Sequence, residues 1–580
     1  MKIIVWDIET SGLGGPCVYV SWALGPDRVY GEPCAGDDAL TDWFIRTILV
    51  PKNDKAFIFA HYGSRFDWLR LNWSRLAQAG FTGRFFSAKN VNDILGIELE
   101  RGGCTFHMRD SWRYIPFQLK DAVPVFVPGE QKGTLDFEKT PFDPSNDAHC
   151  VYAQNDARVL YLLVKRFDRY VTETFDVSLN RSITISGLAY RALKRDAKLA
   201  GYRTMQPLPP YLCPIARHSY HGGLVAAWQT GKFKDIVGLD INSLYGWIMQ
   251  TFPMPTGHPV LTAHKPDHTL PYLAWCVMDI GAEYPFILSR DVKRGMGRWA
   301  GRKLETWAWD FEVAIQRDLG SRVDTKLYLT WPEMDARHRG FIDKCCRLRR
   351  DNPESSHPLN ILAKLMQNSC YGKHGADARD YSMILLDGIP ESGMPLLDSV
   401  GNSIDGIWTV PETKIPPSMV HWASYITARG RERMIRYLMR LPRDGWIYGD
   451  TDSIFIERKY LSLFTDDIGP DYGLLKIVFE GSVDIRAPKT YRIDHSNGNI
   501  TLKNKGIPRK SSADAWADGT CSYEAGKSLG VIMKRGVKGS KYTEIAQRRL
   551  SGAGSVANGY YNDHNIWQAM VSTGSVNPPF

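Results

Sequence analysis

Ten cysteines are scattered through 580 residues without a CxxC pair, and two of them, Cys345 and Cys346, are adjacent. That spacing argues against a disulfide framework or a zinc site and fits a reducing compartment. No uninterrupted apolar run is long enough to span a bilayer. The first residues, MKIIVWDIET, reach Asp7 and Glu9 before a signal-peptide core could form. Internal repeats and low-complexity tracts are missing as well. Neither sign of charge dominates: the net charge is +9 and the pI about 8.9, a mild basic excess that suits a polyanionic partner without requiring one. What is there is apolar material, 43% hydrophobic and 12% aromatic, enough for large cores. The length has room for roughly three or four domains. The expectation is a soluble, intracellular protein with no membrane segment, acting as a monomer in the cytoplasm.

Trp446 to Ile456 places two β-branched and aromatic runs around the polar tip Gly449-Asp450-Thr451-Asp452-Ser453, which predicts a β-hairpin. On extended backbone Asp450 and Asp452 leave the same face. Two carboxylates held that close repel, and a hard divalent cation such as Mg²⁺ removes the cost. Taken alone, the tip reads as simply as a solvated Asp-rich turn.

The same spacing recurs at the N-terminus. Lys2 to Trp6 predicts a buried strand, and Asp7 and Glu9 follow with Ile8 turned to the core. A second strand, Phe57 to Ala60, leads into His61-Tyr62-Gly63-Ser64-Arg65-Phe66-Asp67. Later, Tyr152 and Asp156 stand i, i+4 on one face of a predicted helix. Asp7, Glu9, Asp67 and Asp156 would then converge on two divalent ions of the kind that promote phosphodiester hydrolysis, with the Tyr152 phenol holding the water. DIET, then FD, then YxxxD in that order resembles the three exonuclease motifs of the DEDD class. Two further segments match within this resemblance. Ser111, Trp112 and Phe117, with Phe66, look like its single-strand-binding element, although Trp112 stands where Leu is usual. Lys139 looks like its phosphate-contacting lysine. One departure concerns the Asn that normally precedes FD, replaced here by Tyr62 or His61. An aromatic side chain there either stacks on a base or packs into the core.

Beyond a proline-rich connector, Pro207 to Pro214, lies Tyr220-His221-Gly222-Gly223. An apolar strand from Ile236 delivers Asp240, followed by Ile241-Asn242-Ser243-Leu244-Tyr245. From Pro358, Leu359, Leu362, Leu365 and Met366 form a helical apolar face, while Lys364, Asn368 and Tyr371 share another stripe. Lys364 to Gly372 reads KLMQNSCYG, and Lys489-Thr490-Tyr491 follows later. Together these resemble the YxGG, DxxSLYP, KxxxNSxYG, DTDS and KxY motifs of family B DNA polymerases, with Gly246 in place of the usual proline.

The resemblance implies an α/β and α+β multidomain fold. An RNase H-like exonuclease domain would occupy residues 1–180, and a polymerase domain residues 181–580. Within the latter it implies a palm (about 181–251 and 420–520), fingers (about 340–375) and a thumb (about 521–580). It also implies that Asp240, Asp452 and the backbone of Ile241 hold two Mg²⁺, for which Mn²⁺ can substitute, with Asp450 close by. Tyr245, Lys364, Asn368 and Tyr371 would receive the dNTP. Tyr220, Gly222, Gly223, Lys489 and Tyr491 would bind primer-template DNA. Arg347, Arg349 and Arg350 either add phosphate contacts or form a solvated face. Lys503, Lys505 and a basic stretch from Lys527 to Arg549 suit a duplex backbone, and a solvated face would look the same. Two intervals, about 252–339 and 376–419, resemble in position and size the insertions of the protein-primed subgroup, which implies a terminal protein as partner and strand displacement.

Overall fold

Runs of β-branched and aromatic residues become strands wherever both faces can be covered. Ile3–Thr10 is one such strand, parallel to Phe57–Ala60 and antiparallel to Cys17–Gly25. The computed structural model describes residues 1–12, 15–87, 93–135, 141–201, 207–267, 269–279, 289–291, 295–298, 303–376, 381–397, 403–411, 419–526, 543–549, 559–561 and 567–569. Its architecture is mixed α/β with several sheets and many helices, as expected. Among the described residues no helix is long and apolar enough to cross a membrane.

The N-terminal strands form seven of the ten strands of one sheet. In spatial order it runs Met394–Leu397, Ser403–Pro411, Tyr381–Leu385, Thr82–Ser87, Ile94–Arg101, Cys104–Asp110, Phe57–Ala60, Ile3–Thr10, Cys17–Gly25, Arg28–Pro33. The first three strands come from the interval expected as a second insertion. They complete the N-terminal sheet's edge: Met383 pairs with Phe85, and the Arg84 guanidinium donates to Ser382 Oγ at 3.1 Å. Met383, Leu385 and Ile407 are buried in the same apolar cluster as Phe85 and Ala77. One face of the sheet is covered by a 29-residue helix, Asp147–Phe175, whose N-cap Asn146 accepts from the Ala148 N–H.

A second sheet of seven strands occupies the middle of the chain, in the order Ile500–Asn504, Thr490–His495, Leu475–Ala487, Gly231–Ile241, Ser453–Glu457, Tyr448–Asp450, Val225–Ala227. Helices Leu244–Thr251, Arg339–Asp351, Pro358–His374 and Val420–Leu438 belong to the same continuous core. A four-stranded sheet lies in the expected first insertion: Val260–Thr262, Arg322–Thr330, Tyr272–Asp279, Lys303–Trp309. It is joined to the core by a fully buried ion pair, Arg431 to Glu312 at 2.7 Å. Arg431 also donates to the carbonyls of His221 and Gly222, each at 2.9 Å. Toward the C-terminus, Thr520–Gly526 pairs with Thr543–Arg549. Lys527, Lys534, Arg535, Lys538 and Lys541 of the expected basic stretch lie outside the described residues.

Where these helices meet, His338, His374 and His421 surround Trp422, with ring centroids 5.6, 5.3 and 6.3 Å from it. All three are buried. Burial disfavours the imidazolium and lowers their pKa values to about 4, 3 and 3. A histidine depressed in the folded state contributes fully above the unfolded value and loses that contribution as pH falls toward the folded one. Each group that must protonate on unfolding costs about 1.4 kcal/mol per pH unit. The stability advantage of the native chain over His374→Gln should therefore shrink as pH falls from 6.5 to 4, read as denaturant midpoints of the two proteins.

Candidate active sites

The N-terminal site is built on the Ile3–Thr10 strand. Ile8 is buried, so Asp7 and Glu9 emerge together on the opposite face. The long helix brings Asp156 to them, and ligand oxygens of Asp7, Glu9 and Asp156 lie within 4.8 Å of one another. Asp67, at the start of a short 3₁₀ turn, is completely buried, and neither of its oxygens has a well-formed hydrogen bond. Burial, then the charge of Asp156, pushes Asp7 up to about 7. Burial, then Asp7 and Asp156, pushes Glu9 up to about 9. Asp67 is held well above the carboxylate range by burial and by Asp7. Asp7, Glu9 and Asp156 thus lie close enough to offer hard oxygen ligands to a divalent cation, with Asp67 beside Asp7. Tyr152 lies one turn before Asp156; burial and that carboxylate raise its phenol to about 12.

Among the described residues the positive charge at this site comes from Lys132, which the sequence reading missed. Its ammonium is 2.7 Å from Asp156 and sits over the Tyr152 ring at 5.5 Å. Burial alone would lower this lysine, but Asp156 and Asp7 hold it above its ordinary value. Lys139, expected in that role, lies outside the described residues. No local pattern singles out Lys132, because its partner belongs to a different element.

The loop before Asp67 is fastened from below. Buried Asp110 accepts from the N–H groups of Tyr62, Ser64 and Trp112 at 2.9, 3.2 and 3.0 Å, and from the Ser64 hydroxyl at 2.7 Å. His61 is committed to structure: Nε2 donates to the Phe117 carbonyl and Nδ1 lies 2.8 Å from the Ser111 hydroxyl. Tyr62 is different. Its backbone is left-handed at φ 65°, its side chain is 44% exposed, and its ring meets Trp112 edge-on at 5.0 Å. Of the two expectations for an aromatic residue here, core packing does not describe Tyr62. Phe66 is half-buried beneath the Arg70 guanidinium.

The central site is built by strand register. Asp240 ends its strand opposite Ser453, and the Ile241 N–H donates to the Asp452 carbonyl at 2.7 Å. The predicted hairpin forms with Thr451 and Asp452 as its turn. The extended-backbone argument for Asp450 and Asp452 does not hold, because Thr451 is left-handed at φ 62°. That bend lets Asp240, Asp450 and Asp452 line one pocket of about 560 Å³ with Lys489, Tyr491 and Lys503. Burial, then Asp240 and Asp450, pushes Asp452 up to about 6.

Neighbouring motif residues gather here as well. The rings of Tyr245 and Tyr371 meet at a tilt, their centroids 4.3 Å apart, and Lys364 and Asn368 are exposed on the same helix as Tyr371. A Cβ on Gly223 would fall 2.7 Å from Thr451, and the Thr451 N–H donates to the Leu224 carbonyl, so the Tyr220–Gly223 segment abuts the turn. Tyr220 itself packs on Gly375. Lys489, strained at φ 58°, reaches Asp450 at 3.1 Å, and Lys503 reaches it at 3.6 Å. Tyr491 packs edge-on to Tyr448 and Phe455. Arg349 is tied to the Tyr472 hydroxyl and Ser243, whereas Arg347 and Arg350 are exposed. Gly246 replaces the usual proline because Gln367 fills the space: a Cβ would fall 1.6 Å from its amide nitrogen.

Without divalent ions, the buried acids of the N-terminal site burden the fold. A carboxyl raised in the folded state contributes less stability as pH rises through the gap between its unfolded and folded values. Asp67→Asn should therefore raise the unfolding midpoint in chelator, increasingly so from pH 4 to pH 9. A gain of 1 kcal/mol corresponds to about 2–4 °C in a domain of this size. Adding Mg²⁺ should narrow or reverse the difference; thermal scans with and without the ion check both signs.

Residues 143–394 match the family model described as DNA polymerase type B, organellar and viral. A probable DNA polymerase of Ascobolus immersus is 23% identical over 444 residues, covering 70% of this chain and 34% of the relative. One of Neurospora intermedia is 24% identical over 244 residues, covering 39% and 24%. The matches thus span about a quarter to a third of those curated relatives. Phi29 DNA polymerase, complexed with primer-template DNA and incoming nucleotide substrates, superposes with a TM-score of 0.73 at 16% identity, over 95% of this chain and 99% of its own. Its complex with single-stranded DNA gives 0.71. By motif and by fold, the chain resembles the organellar and viral type B DNA polymerases, with the architecture of the phi29 protein.

Proposed function

We propose that the chain is a DNA-directed DNA polymerase that adds dNTPs to a primer 3′-hydroxyl and proofreads at a separate 3′–5′ exonuclease site. The observation that carries this reading is the strand register that joins Asp240 to the Asp450–Asp452 turn, beside Tyr245, Tyr371 and Lys489. Divalent ions, Mg²⁺ or in its place Mn²⁺, supply the positive charge that phosphoryl transfer needs at the attacking and leaving oxygens. Asp240, Asp452 and the Ile241 carbonyl hold two at the central site, and Asp7, Glu9, Asp67 and Asp156 hold two at the N-terminal one. Lys364 and Asn368 meet the triphosphate, while the Tyr245–Tyr371 pair bears on sugar and base. Lys489 and Tyr491 steady the primer, and the Tyr220–Gly223 segment meets the template. At the exonuclease site Tyr152 orients the water, Lys132 neutralises phosphate charge, and Ser111, Phe66, Tyr62 and Trp112 hold the unpaired 3′ end.

Two separate carboxylate clusters make the reading testable. Asp452→Ala should lower primer extension at least about a hundredfold and leave 3′ degradation in place. Asp7→Ala should do the reverse. Loss of both activities from either change, in a protein that still melts cooperatively, would falsify the two-site assignment.

The first primer hydroxyl comes from a terminal protein, and synthesis displaces the strand ahead. Two features support this: the fold shared with phi29 DNA polymerase, and the two insertion intervals, which hold a separate sheet and the strands that extend the N-terminal one. Incubation with a candidate terminal protein, labelled dATP and Mg²⁺ should leave nucleotide on the protein. No protein-linked label, beside normal extension of DNA primers, favours a polymerase that starts from nucleic acid.

A further inference from the structure

The three aspartates of the central pocket do not face it alone. Asp450 is paired with Lys489 and Lys503. Asp240 has a different partner: the Lys476 ammonium lies 2.7 Å from its Oδ1. The strand Leu475–Ala487 runs antiparallel to the one bearing Asp240, and its register places Lys476 directly across from that carboxylate. The register then slips between Ile477 and Phe479, leaving Val478 as an extra residue in a bulge. Bulges re-aim side chains beside functional sites. Here the bulge accompanies an outward turn of Lys476, Ile477 and Val478, all exposed, with Val478 on the pocket wall.

An ion pair of this kind is a poor stabiliser. Lys476 is 49% exposed and Asp240 24%, so water screens the attraction and the pair adds little to stability. Half exposed, the lysine is no fixture of the core. Its position matters because it sits on the carboxylate that the proposed function assigns to a divalent ion. A lysine cation on Asp240 competes with a metal cation for that carboxylate, because the two positive charges repel and the ammonium occupies one lone-pair direction of Oδ1.

We propose that Lys476 is the resident counter-cation of Asp240, neutralising it in the metal-free chain and yielding it when a divalent ion enters the pocket. This inference rests on the polymerase reading of that pocket. The amine keeps Asp240 and Asp452 from repelling each other before loading. In exchange it weakens the first metal by the worth of the pair it must break.

The test is equilibrium binding of Mn²⁺ without DNA or nucleotide, read from the paramagnetic resonance of the free ion. It uses the full chain in an Asp7→Ala background, so that the N-terminal cluster contributes little. Lys476→Met should tighten binding at the central site about 2- to 5-fold, the range of a half-exposed ion pair. Lys476→Gln should move the same way, and Lys476→Arg should bind Mn²⁺ as the native chain does. A merely structural lysine would leave Mn²⁺ affinity unchanged and lower the melting temperature in chelator. Unchanged or weaker binding in both neutral variants overturns the inference while sparing the polymerase reading. If Asp452→Asn leaves Mn²⁺ binding intact, the pocket is no metal site and both readings fall.

Discussion

Like charges brought together out of water are the constraint on which both sites depend. Burial and neighbouring carboxylates raise the pKa values of Asp7, Glu9 and Asp67, and burial raises that of Asp156. Asp240, Asp450 and Asp452 repeat the arrangement in a wetter pocket. A chain gains no stability from such clusters; they persist because large sheets hold the backbone where the carboxylates must meet. In the N-terminal domain the register of Ile3–Thr10 and the face of the Asp147–Phe175 helix fix the meeting point. In the central sheet the adjacent strands do so, with a left-handed threonine supplying the final bend.

The two sites answer the same electrostatic demand with different cations. Among the described residues of the N-terminal site one half-buried lysine, Lys132, stands against four acids. In the central pocket three partly exposed lysines pair with two of the three aspartates, Lys476 with Asp240, and Lys489 and Lys503 with Asp450. The first arrangement sets little positive charge against its acids among the described residues; the second carries partly exposed positive charge of its own.

Much of this was legible in the sequence because the motifs are local. DIET, FD, YxxxD, DTDS and KxxxNSxYG each declare a carboxylate or a helix stripe within a few residues. The hairpin at Tyr448–Glu457, the helix at Pro358–His374 and the i, i+4 pair Tyr152–Asp156 follow from periodicity alone. Lys132, Lys476 and Arg431 were not legible, since each matters through a partner far away in the chain, and Lys503 read only as a duplex contact, without its partner Asp450. Gly246 read only as a departure until Gln367 was seen to fill its Cβ position. The left-handed backbones of Tyr62, Ser243, Thr451 and Lys489 are likewise tertiary, for none is a residue whose type favours that region.

The ten-stranded sheet has a consequence for how the protein is made. Its Thr82–Ser87 strand is completed only by Tyr381–Leu385, with Ser403–Pro411 beyond. As the chain leaves the ribosome, the N-terminal half can assemble its own strands long before that covering edge is synthesised. During that interval Thr82–Ser87 offers unpaired amides and carbonyls to any passing strand. Translation pace and chaperone access between those two stretches thus bear on the yield of folded protein, although neither stretch carries a catalytic group.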